Sequence, residues 1–225
     1  MGAQYNVNCH DSIRDYKCKE QVGGTCYAYA IAGIICLSSE RVHGRKKLDF
    51  YEIKDEIIKK YGNPNGGGNV RYILLNSGLL SKYRLRCEEI DHSKAYIVLC
   101  QSNPRPIVAT FFLDAKQWNA FSNFFRQNKS GILYPINLKD YYDPNKTDES
   151  GSHAVIIKGM GSDHFNISYF IIANSWGDRW GEEGFFKVSV SIQLVTPFTF
   201  YDVFWLESDL TREEREKYKR DYPYD

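Results

Sequence analysis

No run of the chain approaches the roughly eighteen consecutive apolar residues that a membrane-crossing helix needs. Charge of one sign is also lacking. The 225 residues carry 29 Lys and Arg against 28 Asp and Glu, a net charge of +1, which removes any general electrostatic case for nucleic acid or an anionic membrane as partner. Paired cysteines are missing too: Cys9, Cys18, Cys26, Cys36, Cys87 and Cys100 contain no Cys-x-x-Cys. Their spacing fits neither a zinc site nor a compact disulfide framework. Gly159-Met160-Gly161 follows a strand-like run without the rest of a dinucleotide fingerprint, so no cofactor is expected. The amino terminus, MGAQYNVNCHDSIRDYK, is polar and charged and does not read as a signal peptide, although a leader or pro-segment removed upstream stays open. Three Asn-x-Ser/Thr sequons, at Asn128, Asn145 and Asn166, are too close to the chance number to argue for secretion.

What is present is aromatic. Phe, Trp and Tyr make up 15% of the residues, with 17 Tyr, a composition that favours strands and ring packing over a helical bundle. The first half reads as helices at Tyr27–Arg41, Leu48–Gly62, Val70–Ser77 and His92–Gln101, interrupted by the loop GNPNGGGNV. From Pro104 the pattern changes. A strand at Pro106–Leu113 and a helix at Asp114–Asn128 are followed by a long polar connection over Ile136–Ser152. Strand-like runs then occupy His153–Met160, Asn166–Ala173, Gly184–Val190 and Thr199–Leu206. A helical lobe over about 20–104, a β-rich lobe over 105–206 and a charged extension over 207–225, with a groove between the lobes, follow from that order within a single domain over 1–225. The run TREEREKYKR in the extension reads as a solvated helix, with Thr211 and Glu214 at capping-box spacing.

Three residues carry chemistry. In QVGGTCYAYAIAGIIC, Gly23 and Gly24 permit a tight bend and Cys26 falls at the first turn of an apolar helix. Unpaired N–H groups and the helix dipole there tend to lower a thiol's pKa. An ordinary buried cysteine fits the same place. His153 opens the apolar run SHAVIIKGMG and can project into a groove; a surface histidine starting a strand is the alternative. Asn174, in IIANSWGDRWGEEGFF, can accept from a ring N–H of His153, with Trp176 covering that bond. A glycine-rich turn with packed tryptophans explains the rest of that stretch, but it does not require Asn174.

Taken together, QVGGTCYAYA, NGGG, SHAVIIKGMG and NSWGDRWGEEGFF resemble the papain-like cysteine peptidases, in that family's order and over most of the chain, about Ser12 to Leu206. The resemblance implies an α+β, two-lobed fold with a helical lobe and an antiparallel β-barrel lobe flanking the active-site cleft. It implies Cys26 as nucleophile, His153 as acid and base, Asn174 as the orienting residue and Gln21 as an oxyanion-hole donor beside the Cys26 N–H. Gly66 and Gly67 match the glycines whose backbone pairs with extended substrate. Gly68, Asn69, Ser152 and Trp176 complete the implied substrate-binding set.

Four departures from the family pattern shape the expectations. Only four residues separate Gln21 and Cys26, one fewer than usual, which puts the Gln21 role in question. Neither half of the family's disulfide across this turn is present, Pro64 standing at one of the positions, which favours a reducing, cytosolic location. Tyr27 replaces the usual tryptophan after the nucleophile. Gly68, Asn69, Gly151 and Ser152 are small or polar where larger apolar groups usually line the main pocket. The reading is a thiol peptidase acting on a protein or peptide. The alternatives are an isopeptidase for ubiquitin or a ubiquitin-like protein, against which stands Ala154 after the histidine, and a non-catalytic peptide-binding relative. Acyl transfer uses the same triad.

Overall fold

The computed structural model describes residues 6–8, 16–63, 66–101, 104–138 and 151–221. Cys9, His10, Pro64 and Asn145 lie outside these. Strand β1 (Asn6–Asn8) precedes the Gln21 turn and helix α1 (Cys26–Glu40). Nearly every residue of α1 is buried, because it is apolar on all sides and forms the core of the helical part. Around it come α2 (Phe50–Tyr61), α3 (Val70–Leu75), α4 (Leu79–Lys82), strand β2 (Arg86–Ile90) and α5 (His92–Cys100). Aspartates start α2 and α5: Asp49 accepts from the Tyr51 and Glu52 N–H groups and Asp91 from that of Lys94. The second half contains β3 (Ile107–Leu113), α6 (Ala115–Gln127), β4 (Ile132–Leu133), β5 (Gly151–Ser162), β6 (Ser168–Ala173), β7 (Phe185–Ser189), β8 (Phe198–Phe204) and α7 (Arg212–Asp221). Asp114 and Gln117 form a reciprocal capping box at the start of α6.

The strands make one sheet in the order β2-β8-β3-β5-β6-β7-β4, with β1 paired to β5. The implied β-barrel is corrected to an open sheet: β2 and β4 stand at opposite ends and do not pair, and β4 runs parallel to β7. Helix α6 packs on one face of this open sheet. Its Phe121 and Phe125 are fully buried in the core on that face. Strand β2 also draws part of the first half of the chain into the sheet through its pairing with β8.

Side chains alternate across the sheet, so each face has its own core. Val108, Ala154, Ile156, Tyr201 and Val203 pack with α1 on one face. Ala109, Phe111, Val155, Ile157 and Phe200 pack with α5 and α6 on the other. Close approach of α1 to β5 requires Gly33, where an added Cβ would come within 2.7 Å of Ile156 Cδ1 and 2.8 Å of the Tyr16 hydroxyl.

Helix α7 is not fully solvated. Glu214 is buried, accepting from Arg45 Nε at 3.0 Å, Arg84 Nη2 at 2.6 Å and the Thr211 N–H at 2.8 Å. Burial works against its charge, but the two guanidiniums and the N–H outweigh it and hold the carboxyl down to about 2. Replacing Glu214 with Gln is expected to lower stability by about 2 kcal/mol at neutral pH, since two partly buried cations lose their counter-charge. The carboxylate contribution is complete above its ordinary pKa of 4.5 and is lost as pH falls toward 2. Urea denaturation of both proteins checks this. A stability gap that stays constant on acidification rules out the clamp.

Candidate active site

Cys26 is the first residue of α1, and the Ala28 and Tyr29 N–H groups already bond back to the Thr25 carbonyl. The Cys26 thiol is half-buried. Burial raises its pKa, while the backbone N–H groups of Ala154, Tyr27 and Cys26 itself favour the thiolate without reversing the shift. The lowering expected from the helix start is therefore outweighed by desolvation. His153 lies near the start of β5, paired across the sheet with Phe111 and only 4% exposed. Its Nε2 is 2.8 Å from Asn174 Oδ1, which also accepts the Ser175 N–H at 2.9 Å. An amide oxygen cannot donate, so Nε2 carries the proton and Nδ1 is the basic nitrogen. Burial pushes the His153 pKa down to about 4 against the opposing Asn174 bond. Burial thus moves the thiol up and the imidazole down.

Three rings enclose the imidazole. Trp176 lies 5.1 Å away, Phe111 5.7 Å and Trp118 5.8 Å, centroid to centroid. Trp176, expected to bind substrate, covers His153 and packs on Trp118 and Trp180. Trp118 comes from α6 and also donates its Nε1–H to the Gly151 carbonyl at 3.2 Å, pinning the start of β5 two residues before His153. Sequence reasoning missed it, because Trp118, Phe121 and Phe125 read as an ordinary apolar helix stripe; only a tryptophan N–H in that stripe hinted at a polar partner. Trp118→Leu is expected to lower kcat/KM about tenfold and to move the acidic limb of its pH profile, as an imidazole readmitted to water gains protons more easily. Trp118→Phe should recover part of both. A pH-rate series on the three proteins measures this, and an unmoved limb in Trp118→Leu contradicts it.

Gln21 does not present a free amide. Its Nε2 donates to the Gly23 carbonyl at 2.5 Å, and its Oε1 accepts from Ser175 Oγ at 2.6 Å. The short turn, with Gly23 at a φ of +60°, folds the amide back onto its own bend, leaving one N–H uncommitted. The glycine edge is partly engaged by its own turn. Gly67 donates to the Gly24 carbonyl at 3.0 Å and accepts from Asn63 at 3.0 Å, and the Gly66 N–H bonds to Asn63 at 2.9 Å. These bonds tie the Gly66 N–H and both backbone groups of Gly67 into the turn, and Gly68 follows on the cleft wall. Glycine is needed there, since a Cβ would stand 2.5 Å from the buried Tyr27 ring.

Cys26, Tyr27, Gly68, Asn69, Ser152 and His153 line a cleft of about 430 Å³, whose floor is Thr110, Ala154 and Tyr201. A shallower space of about 680 Å³ continues over Tyr61, Gly66, Gly67 and Asn69. Among the described residues, no group of three or more His, Cys, Asp and Glu could hold a metal ion, and no helix is long and apolar enough to cross a membrane.

Comparison with known proteins agrees with this arrangement. The papain family cysteine protease pattern matches residues 113–196, which hold His153 and Asn174. Cathepsin L of Sarcophaga peregrina is 27% identical over 190 residues, covering 74% of this chain and 52% of that protein. Cathepsin R of Mus musculus is 29% identical over 189 residues, covering 73% and 53%. The chain thus spans about half the length of the curated relatives it matches. In a solved structure from a study of antibody cross-reactivity between the mite allergens Blo t 1 and Der p 1, 70% of that chain superposes on 88% of this one. The TM-score is 0.53 and the identity 19%, which speaks for the fold. In motif order, fold and relatives, the chain is thus similar to the papain family cysteine proteases.

Proposed function

We propose that the chain hydrolyses peptide bonds in proteins or peptides through Cys26, His153 and Asn174. One observation carries the reading: Cys26 and His153 open onto the same cleft, while Asn174 holds the His153 Nε2–H and leaves Nδ1 as the base. The thiol proton passes to Nδ1, and sulfur attacks the substrate carbonyl. The oxyanion meets the Cys26 N–H and the uncommitted N–H of Gln21. His153 then protonates the departing amine, and a thioester on Cys26 remains. Water, deprotonated by His153, releases the acid and restores the thiol.

Intact mass after exposure to a peptidyl epoxide and, separately, to ubiquitin bearing a C-terminal electrophile tests this, with Cys26→Ala as control. A Cys26-dependent adduct with the epoxide supports a peptidase. An adduct with the ubiquitin reagent alone replaces the reading with an isopeptidase, whose glycine tail would suit Gly68 and Ser152. No adduct with either, and alkylation by iodoacetamide only at alkaline pH, replaces it with a non-catalytic peptide binder. A reducing, cytosolic location belongs to the same proposal: the five described cysteines are all free thiols.

A further inference from the structure

The cleft beside Cys26 has a chemical bias. Its floor is the β3–β5–β8 part of the sheet, where Thr110 pairs with Ala154 and lies one strand from Tyr201. The Tyr201 ring is buried, and its hydroxyl hydrogen-bonds Thr110. One wall is Asn69 and Arg71. Asn69 Oδ1 is taken by the Tyr72 N–H at 2.9 Å, so the group it has left is the Nδ2 donor. Among the described residues, Arg71 is the only Lys, Arg, Asp or Glu lining the cleft. Its Nε is bonded to Glu89 at 2.7 Å, which fixes the guanidinium and leaves its Nη donors without another carboxylate among the described residues. Glu89 does not line the cleft. The polar groups on the cleft are therefore mainly donors, around an apolar throat formed by Tyr27, Val70 and Ala154.

We infer that this cleft selects a substrate side chain with an apolar stem and an acceptor end, glutamate or glutamine, over leucine and over lysine. The inference rests on the peptidase reading and names the substrate class of that same site. The stem fills the throat, and the carboxylate or carboxamide oxygens meet Arg71 Nη and Asn69 Nδ2. Leucine leaves those donors to water, and lysine brings a like charge against Arg71. Because Arg71 is largely exposed and partly neutralised by Glu89, the preference is expected to be about tenfold, well below that of a fully enclosed site.

The test is a fluorogenic tetrapeptide library in which each of the four residues before the scissile bond is varied in turn. It is run on the wild-type chain, Arg71→Gln and Arg71→Glu. One position is expected to favour Glu and Gln over Leu about tenfold in kcat/KM. Arg71→Gln should collapse the Glu:Leu ratio toward one, and Arg71→Glu should turn that position toward Lys. Arg71 is exposed, so both variants should fold, which circular dichroism checks. Leucine winning in the wild type, or Glu:Leu ratios that ignore Arg71, overturns the inference while leaving the peptidase standing. Lysine winning overturns it and assigns the selection to Glu89. No turnover of any peptide, together with no Cys26 adduct with the epoxide, overturns the peptidase reading and this inference with it.

Discussion

Replacing His153 with alanine is expected to lower kcat/KM by about 10,000-fold or more, because in the proposed mechanism the base that takes the Cys26 proton and later protonates the amine disappears at both steps. The same substitution should change how stability depends on pH. In the unfolded chain the imidazole takes up its proton near pH 6.5; in the folded chain it does so only near 4. Between those values the unfolded state binds more protons, so stability falls as pH falls. The wild type loses about 3 kcal/mol from this group across the window. His153→Ala has no such group, so its stability should decline less steeply between pH 6.5 and pH 4, whatever its stability at neutral pH. Fluorogenic peptide kinetics and denaturant titrations at several pH values measure the two effects. Activity within tenfold of wild type removes His153 from the mechanism, and identical pH slopes remove its burial as neutral imidazole.

Gly184→Ala is expected to cost about 4 kcal/mol or more, close to the largest single-residue effects. Gly184 has a φ of +87°, and an added Cβ would overlap Cys18 Cβ, stand 2.8 Å from Cys18 Sγ and 3.0 Å from the Gly177 carbonyl. Cys18 is itself buried, so neither side can yield without moving backbone. Gly184 also donates to Trp180 at 2.8 Å and accepts the Asn174 N–H at 3.0 Å. Any shift therefore reaches the residue that orients His153, and activity should fall even in the fraction that remains folded. Gly66→Ala is the control: its φ of +88° is just as unfavourable, but no atom lies within 4 Å of the added Cβ. Its cost should be only the left-handed backbone penalty, about 1 kcal/mol. Equal denaturation midpoints for the two variants contradict the packing argument.

Much of this architecture was legible in local pattern. The period and the caps locate α1, α2, α5 and α6 to within two residues, and the strand runs locate β3 and β5 to β8 closely. His153 and Asn174 stand out because a histidine at a strand mouth and an asparagine before Ser-Trp-Gly have few structural reasons to be there. What was not legible depends on partners distant in sequence. Arg86–Ile90 is charged and short, and it is a strand only because β8 offers an edge. TREEREKYKR reads as solvated, and nothing local says that Glu214 meets Arg45 and Arg84. Gly67 and Gly68 are indistinguishable in GGGN, and only the fold shows that it is Gly67 that bonds to Gly24. The thiol of Cys26 illustrates competing terms: the helix start argues for a low pKa, and only the folded neighbourhood shows how much burial opposes it.

The division of β5 between two cores has a consequence for how such an enzyme changes over time. His153 and Phe111 face one core, whereas Thr110, Ala154 and Tyr201 face the other. Residues adjacent in sequence thus pack toward separate cores, the imidazole among the rings of one and Ala154 against the other, while both reach the cleft. Substitutions on the cleft side that respect its volume should combine nearly additively with those behind the imidazole, since they share few direct contacts. A lineage can therefore wander through new substrate preferences one step at a time, with the sheet insulating its chemistry from each experiment.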